Sequence, residues 1–280
     1  MAVKIVVATS AGLEPAVAQQ LDITIVPLRV HFGTETLRDG VDITVNAFLE
    51  RLAASKQFPT TSQPPAGDFI EIYKKLRSQG HEVLVVSLSN KLSGTLMSAN
   101  TAKQQLADEH ITVFDTLNVA SGEALLVIEA AHMAQAGYSV PDIVARLEAM
   151  RPKIRLFFVV DTLEYLAKGG RVSNAQAFIG SVLQMKPILM VENGLVEGYE
   201  RIRTTSKAHA RLRGIVEEGI QGKANLRVGV MYTSIKEAAH ALADELRTKY
   251  RLSDVLVQTI SPAVSAHTGP RALGVAFYGE

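Results

Sequence analysis

Four segments of this 280-residue chain gather hydroxyl, amide, basic and glycine residues in a way that apolar packing does not require. Thr60–Thr61–Ser62–Gln63–Pro64 is the first. Pro64 disfavours helix at Gln63, so the segment is expected to run extended. Thr61 and Ser62 are then free for a ligand or, on the plainer reading, cap the helix beyond. The second, Ser89–Asn90–Lys91–Leu92–Ser93–Gly94–Thr95, follows an apolar run and opens a helical pattern. A helix start carries unpaired N–H groups and about half a positive charge, which suits an anion. Ser93 and Thr95 add hydroxyl donors, and Gly94 lets the backbone approach closely. Ser93 as a simple N-cap is the alternative. The third segment, Tyr165 to Ser173, sets Lys168 and Arg171 around Gly169–Gly170. The glycines suit a helix end and Ser173 the start of the next helix. The two cations suit solvated surface as well as they suit an anion or a partner. The fourth is His267–Thr268–Gly269–Pro270, and of the seven histidines His267 alone stands in a Gly/Pro turn beside a hydroxyl residue.

Composition removes several kinds of chemistry. Without cysteine there is no disulfide, thiolate metal site or cysteine nucleophile. No His/Asp/Glu spacing suits a metal and no His-Glu-x-x-His occurs, so neither metal nor cofactor is expected. The Ser89–Thr95 segment lacks the Gly-Lys-Ser/Thr of a nucleotide loop. Basic residues number 29 against 28 acidic, and aromatics are 6% without tryptophan, so nucleic acid is not an expected partner. No apolar run approaches the ~20 residues of a membrane span. The start, Met1 to Ala8, reads as a strand rather than a signal peptide, and a cytoplasmic protein is expected. Two alternatives stay open on the residues alone. One is a hydrolase or acyltransferase using Ser93 or Ser62 with His267, although no Gly-x-Ser-x-Gly elbow is present. The other is a small-anion-binding regulator built on the helix start at Ser93.

Positioning these segments requires a regular scaffold. Lys4–Ala8, Ile23–Val30, Val83–Ser87 and Ile111–Phe114 are short, β-branched apolar runs and predict strands of a mostly parallel sheet. Helical patterns separate them, and Ala124–Ala136 is apolar almost all round, which predicts a buried helix stopped by Gly137. Beyond the seam at Arg151–Pro152–Lys153, Leu156–Val160, Arg227–Met231 and Val255–Ile260 predict further strands. Thr162–Leu166, Ala175–Leu183 and Thr205–Gly219 predict helices. Pro187–Val191 and Leu195–Arg201 flank Asn193–Gly194, a hairpin signal. The expected fold is therefore two α/β domains with mostly parallel sheets, 1–150 and 151–280, with a ligand cleft between them. The last segment, 265–280, is a candidate to return to the N-terminal domain.

Taken in order, the motifs resemble the DegV family over nearly the whole chain. They are Thr61–Ser62–Gln63–Pro64 with Gly67 and Phe69, Leu92–Ser93–Gly94–Thr95 with Ser98–Ala99, and Leu163–Glu164–Tyr165–Leu166 with Lys168–Gly169–Gly170–Arg171–Val172–Ser173. Lys186–Pro187–Ile188–Leu189 and His267–Thr268–Gly269–Pro270 follow, and Asp39–Gly40–Val41–Asp42–Ile43 also fits. The resemblance implies a non-catalytic lipid-binding protein that encloses a long-chain fatty acid between its domains. It further implies the fatty-acid-binding subunit of a bacterial fatty acid kinase. Such a subunit presents the carboxylate to a separate ATP-dependent kinase subunit, which makes an acyl phosphate for phospholipid synthesis. By motif, Thr61 and Ser93 would hydrogen-bond the carboxylate with Ser62, Gly94 and Thr95 beside them, and His267 would lie near it. Arg171, Arg201 and Arg203 are candidate contacts to the partner or the phosphoryl group. Apolar residues of Phe157–Leu166 and Phe178–Ile188 are candidate slot walls. Two departures stand out: Thr9 replaces the family's Asp after the first strand, and Arg271 replaces the glycine after His-Thr-Gly-Pro. Both are expected near the head group.

Overall fold

The computed structural model describes residues 1–55, 57–172, 185–252 and 255–280. The expected Ser173 cap, the helix Ala175–Leu183 and the slot wall from Phe178 to Gln184 lie outside the described residues.

Strand β1 (Val3–Ala8) opens a parallel sheet, and a short helix α1 (Pro15–Gln20) returns the chain to β2 (Ile23–Val26). Next come β3 (Arg29–Phe32), β4 (Glu35–Arg38), helix α2 (Val45–Ala54) and β5 (Thr60–Ser62); the three strands form a separate antiparallel sheet in the order β4–β3–β5. Helix α3 (Ala66–Ser78) leads to β6 (Glu82–Ser87), and α4 (Thr95–Leu106) to β7 (Ile111–Asp115), completing the parallel order β2–β1–β6–β7. Strand β6 shows what makes such a sequence apolar throughout. Val83 and Val85 pack with Phe69 and Tyr73 of α3 and with Ala99 and Ala102 of α4. Leu84 and Val86 point to the other face, toward α5 (Ser121–Gln135). Side chains alternate across a strand, so cover on both faces demands an apolar residue at every position.

Gly137 at φ +84° follows α5, and Ser139 caps α6 (Val140–Met150) by accepting from the Asp142 N–H. After a 3-10 turn at Arg151–Lys153 come β8 (Arg155–Val159), α7 (Glu164–Lys168), β9 (Lys186–Glu192), β10 (Leu195–Ile202) and α8 (Thr205–Ile220). β11 (Arg227–Tyr232), α9 (Lys236–Tyr250), β12 (Leu256–Thr259), α10 (Pro262–Thr268) and β13 (Leu273–Tyr278) complete the described elements. The six strands lie in the order β10–β9–β8–β13–β11–β12. β9 and β10 form the expected hairpin, with Asn193 at φ +50° and Gly194 at φ +83° in its turn.

The α/β architecture is as expected, but the strand direction of the second sheet is not. Its pairings are antiparallel except for β11 with β12. The reason lies in burial. Phe157 and Val159 pack among residues of α8 and α9, while Leu156 and Phe158 pack on the α5 side. Cover on both faces gives antiparallel strands the same unbroken apolar runs that parallel ones show. Helix α5 lies against β1 and β6 on one side and β8, β11 and β13 on the other, which accounts for its apolar circumference. The final segment divides. α10 packs against β3, β5 and α7, whereas β13 sits inside the six-stranded sheet between β8 and β11.

Candidate functional site

A cavity of about 680 Å³, part of it open to solvent, is lined by residues from β5, α7, β8, β10, α10 and the loop before α4. Leu28, Leu88, Leu92, Val119, Phe158, Leu166, Val196, Ala263 and Val264 supply apolar walls. Thr61, Ser62, Gln63, Ser93, Arg171, His267 and Thr268 supply the polar lining.

Strand register decides which hydroxyl of β5 is useful. β5 runs antiparallel to β3 with Thr61 opposite Val30 and Ser62 opposite Arg29, so the two side chains leave opposite faces of the strand. Thr61 Oγ1 lies 2.8 Å from His267 Nε2. Ser62 Oγ lies 2.9 Å from Nε2 of His31, whose Nδ1 lies 2.9 Å from Thr36 Oγ1. Ser62 thus borders the cavity while its hydroxyl is engaged on the other face.

The polar groups are linked to one another. Arg171 Nε donates to the Leu92 carbonyl at 3.0 Å, and Nη1 donates to the Gly169 carbonyl at 2.5 Å. This ties the loop after α7 to the loop before α4. Ser93 Oγ accepts from the Thr95 N–H at 3.3 Å and lies 2.9 Å from Thr95 Oγ1. The N-cap of α4 is Gly94, without a side-chain cap, so Ser93 is not the N-cap that the plainer reading expects. A Cβ on Gly94 would stand 2.8 Å from Gln63 Nε2, which brings Gln63 beside Ser93.

Electrostatics favour an anion here. Burial, with the Arg171 charge nearby, lowers the His267 pKa to about 4, so its imidazole is neutral at pH 7. Burial also lowers the pKa of Arg171, yet a guanidinium keeps its charge at neutral pH. Among the described residues the lining therefore carries one cation and no carboxylate.

Of the residues expected at the head group, Thr61, Ser62, Ser93 and His267 come together around this cavity, and Arg171, expected as a partner or phosphoryl contact, joins them in the lining. Gly94 and Thr95 stand directly behind Ser93 without lining it. Arg201, on β10, and Arg203, just beyond it, are exposed and do not line it. Gln63 and Thr268 were within recognised motifs but not singled out. The expected walls are half right: Phe158 and Leu166 line the cavity, while Phe157 and Ile188 pack on the opposite face of the sheet. Both departures from the family pattern lie outside the lining. Thr9 Oγ1 donates to the buried Asp39 at 2.9 Å and accepts from the Leu28 N–H at 3.0 Å. Arg271 stands at φ +63°, a conformation that favours glycine, and pairs with Asp161 at 3.2 Å. The pairing of Ser93 or Ser62 with His267 expected of a hydrolase is not formed: His267 bonds Thr61, Ser93 bonds Thr95 and Ser62 bonds His31. Among the described residues no group of three His, Cys, Asp or Glu side chains could hold a metal, and no helix is long and apolar enough to cross a membrane.

An apolar, partly enclosed pocket with hydroxyls, a neutral imidazole and one guanidinium has the chemistry that suits an amphipathic anion. The family model described as uncharacterised protein, DegV family, matches residues 2–280, and the chain belongs to the DegV family. The DegV domain-containing protein of Deinococcus radiodurans is 36% identical, covering 99% of this chain and 98% of its own. Protein DegV of Bacillus subtilis is 32% identical, covering 98% of each. The structure of the fatty-acid-binding DegV family protein of Thermus thermophilus superposes with a TM-score of 0.94 at 31% identity over 100% of both chains.

Proposed function

We propose that this chain binds a long-chain fatty acid in the cavity and presents its carboxylate to a separate ATP-dependent kinase subunit for acyl phosphate formation. The carrying observation is the convergence of Thr61, Ser93, Arg171 and His267 on a space whose other walls are mostly Leu, Val, Phe and Ala. The fatty-acid-binding relatives of the same fold support it. Burying an acyl chain supplies roughly 0.8 kcal/mol per methylene, on the order of 10 kcal/mol for a long chain before entropic costs. That gain is kept only if the carboxylate is satisfied.

The hydrogen bonds suggest how. A buried N–H without a partner is rarer than a bare lone pair. His267 Nδ1 has no partner among the described residues, so we assign the proton to Nε2, which donates to Thr61 Oγ1. Thr61 is then left with its own proton to give to the carboxylate. Ser93 and the Arg171 charge complete the head-group site. Residues 1–150 and 151–280 act as two units holding the acid between them. Phosphoryl transfer needs a nucleotide, a divalent cation and positive charge at the transferred group. The nucleotide and metal belong to the cytoplasmic partner, which Arg201 and Arg203 would contact.

Denaturing mass spectrometry of acids extracted from purified protein, with uptake of added oleate, tests the reading. A bound acid of about C14–C18 is expected, the length that roughly 20 Å of slot would take. Protein that yields none and takes up no oleate overturns it.

A further inference from the structure

Gly169 closes α7 at φ −77° and ψ −8°, values that any residue adopts. Its neighbour Gly170 is the reverse case: φ is +71°, and nothing lies within 4 Å of where a Cβ would stand. Gly170 serves the backbone turn, but the backbone gives no reason for glycine at 169. The reason is the His267 ring. A Cβ on Gly169 would stand 2.7 Å from His267 Cε1 and closer still to Nδ1, and 3.1 Å from the Tyr165 carbonyl oxygen. The ring has no room to retreat cheaply, because Nε2 is held by Thr61 at 2.8 Å. The imidazole is thus gripped edge to edge between the Thr61 hydroxyl and a bare Cα.

A second contact runs the other way between the same two helices. Gly269 ends α10, and a Cβ there would stand 2.7 Å from Tyr165 Cε2 and 3.0 Å from Tyr165 Cγ. Tyr165 belongs to α7 and His267 to α10, so each helix ends on a glycine that receives a ring from the other.

We propose that Gly169 is a positioning residue of the head-group site: its missing side chain is the seat that holds His267 in register with Thr61, and the reciprocal Tyr165–Gly269 contact locks α7 to α10 around that seat. The role in acid binding rests on the function proposed above; the seat itself does not. Gly169→Ala costs nothing in φ and ψ, and its approach to the Tyr165 carbonyl at 3.1 Å is far milder than the overlap with His267, so its main effect reports the ring. A side chain at 169 turns His267 outward, and Thr61 loses the bond that orients its hydroxyl.

The test has one arm free of ligand and one with it. In NMR titrations, the His267 imidazole of the wild type should titrate well below an ordinary histidine, and in Gly169→Ala it should move back up as the ring meets water. Gly170→Ala should leave that titration in place. In oleate titrations, Gly169→Ala should weaken binding roughly ten- to a hundred-fold, the worth of a hydrogen bond to a charged group. Gly170→Ala should lower the Tm yet keep affinity within about twofold. Gly169→Ala combined with His267→Ala should bind no more weakly than His267→Ala alone, because the clash is gone. Wild-type affinity in Gly169→Ala overturns the positioning role, as does a further loss in the double variant. An unmoved His267 titration overturns the seat. A wild type that takes up no oleate overturns the fatty acid reading instead, and the titration arm still decides the seat.

Discussion

Thr61 and His267 lie 206 residues apart in the chain and 2.8 Å apart in space, joined through Oγ1 and Nε2. The first sits on a three-residue strand of the small antiparallel sheet, and the second on a seven-residue helix that follows β12. Neither element is long enough to be stable alone. Their meeting depends on Leu28 and Val30 packing with Ala263 and Ala266 beneath them. Thr61→Val keeps the shape and removes the hydroxyl. Oleate affinity should fall roughly ten- to a hundred-fold, as for loss of a hydrogen bond to a charged group. Calorimetric titration checks this, with the far-UV spectrum unchanged.

The pH dependence of stability should show two opposed contributions. Burial raises the Asp39 pKa to about 6, against 3.8 for the free group. The folded state takes up that proton before the unfolded chain does, so this contribution stabilises as pH falls from about 6 toward 4. His267 is a base held down to about 4 from 6.5, so the unfolded chain takes up its proton first and stability is lost as pH falls through that window. Between pH 7 and pH 5 the Asp39 gain is on the order of 1 kcal/mol and the His267 loss on the order of 2 kcal/mol. Asp39→Asn should therefore lose stability on acidification more steeply than wild type, and His267→Gln less steeply. Urea unfolding at the two pH values reads both slopes.

Arg171 and Arg203 should separate binding from partner contact. Arg171 lines the cavity and Arg203 does not. Arg171→Gln removes the lining cation and should weaken oleate binding roughly tenfold or more. Arg203→Gln should leave affinity within about twofold while lowering acyl phosphate formation with a kinase subunit. Equal effects on affinity from both variants would remove the distinction.

The tail end of the cavity should be tunable from β10. Val196 is 4% exposed and lines the cavity from the hairpin strand. Val196→Phe fills slot volume while leaving every polar lining residue in the sequence unchanged. The mass distribution of co-purified acids should shift to shorter chains, with affinity for a C12 acid retained and affinity for a C18 acid reduced.

Much of this arrangement was legible before the fold was known. The Asn193–Gly194 turn, the buried helix over Ala124–Ala136 and the Ser139 cap each follow from local rules, and each is present. Thr61, Ser93 and His267 were found because hydroxyls and a histidine stood in loops where packing needed neither. Strand direction in the second sheet was not legible, because α5 and α8 bury both of its faces and erase the alternation that marks antiparallel strands. The orientation of Ser62 was hidden for a related reason: one step along β5 turns a side chain to the other face, and only the register with β3 fixes which hydroxyl points in. The wall residues Leu28, Val119 and Val196 come from the loop between β2 and β3, the loop before α5 and strand β10, and no local pattern connects them.

The placement of β13 has a consequence for how the molecule is made. This strand is synthesised after the five others of its sheet, yet it lies inside the sheet, hydrogen-bonded to β8 on one side and β11 on the other. A chain that ends with α10 contains every described lining residue of the cavity, but without β13 the edges of β8 and β11 have no strand between them to pair with. Each then presents an open edge, the condition under which chains pair with the wrong neighbour. Chains that stop before Leu273 should be clients for chaperones and unable to hold a ligand, because the pocket is held firmly only once β13 has closed the sheet.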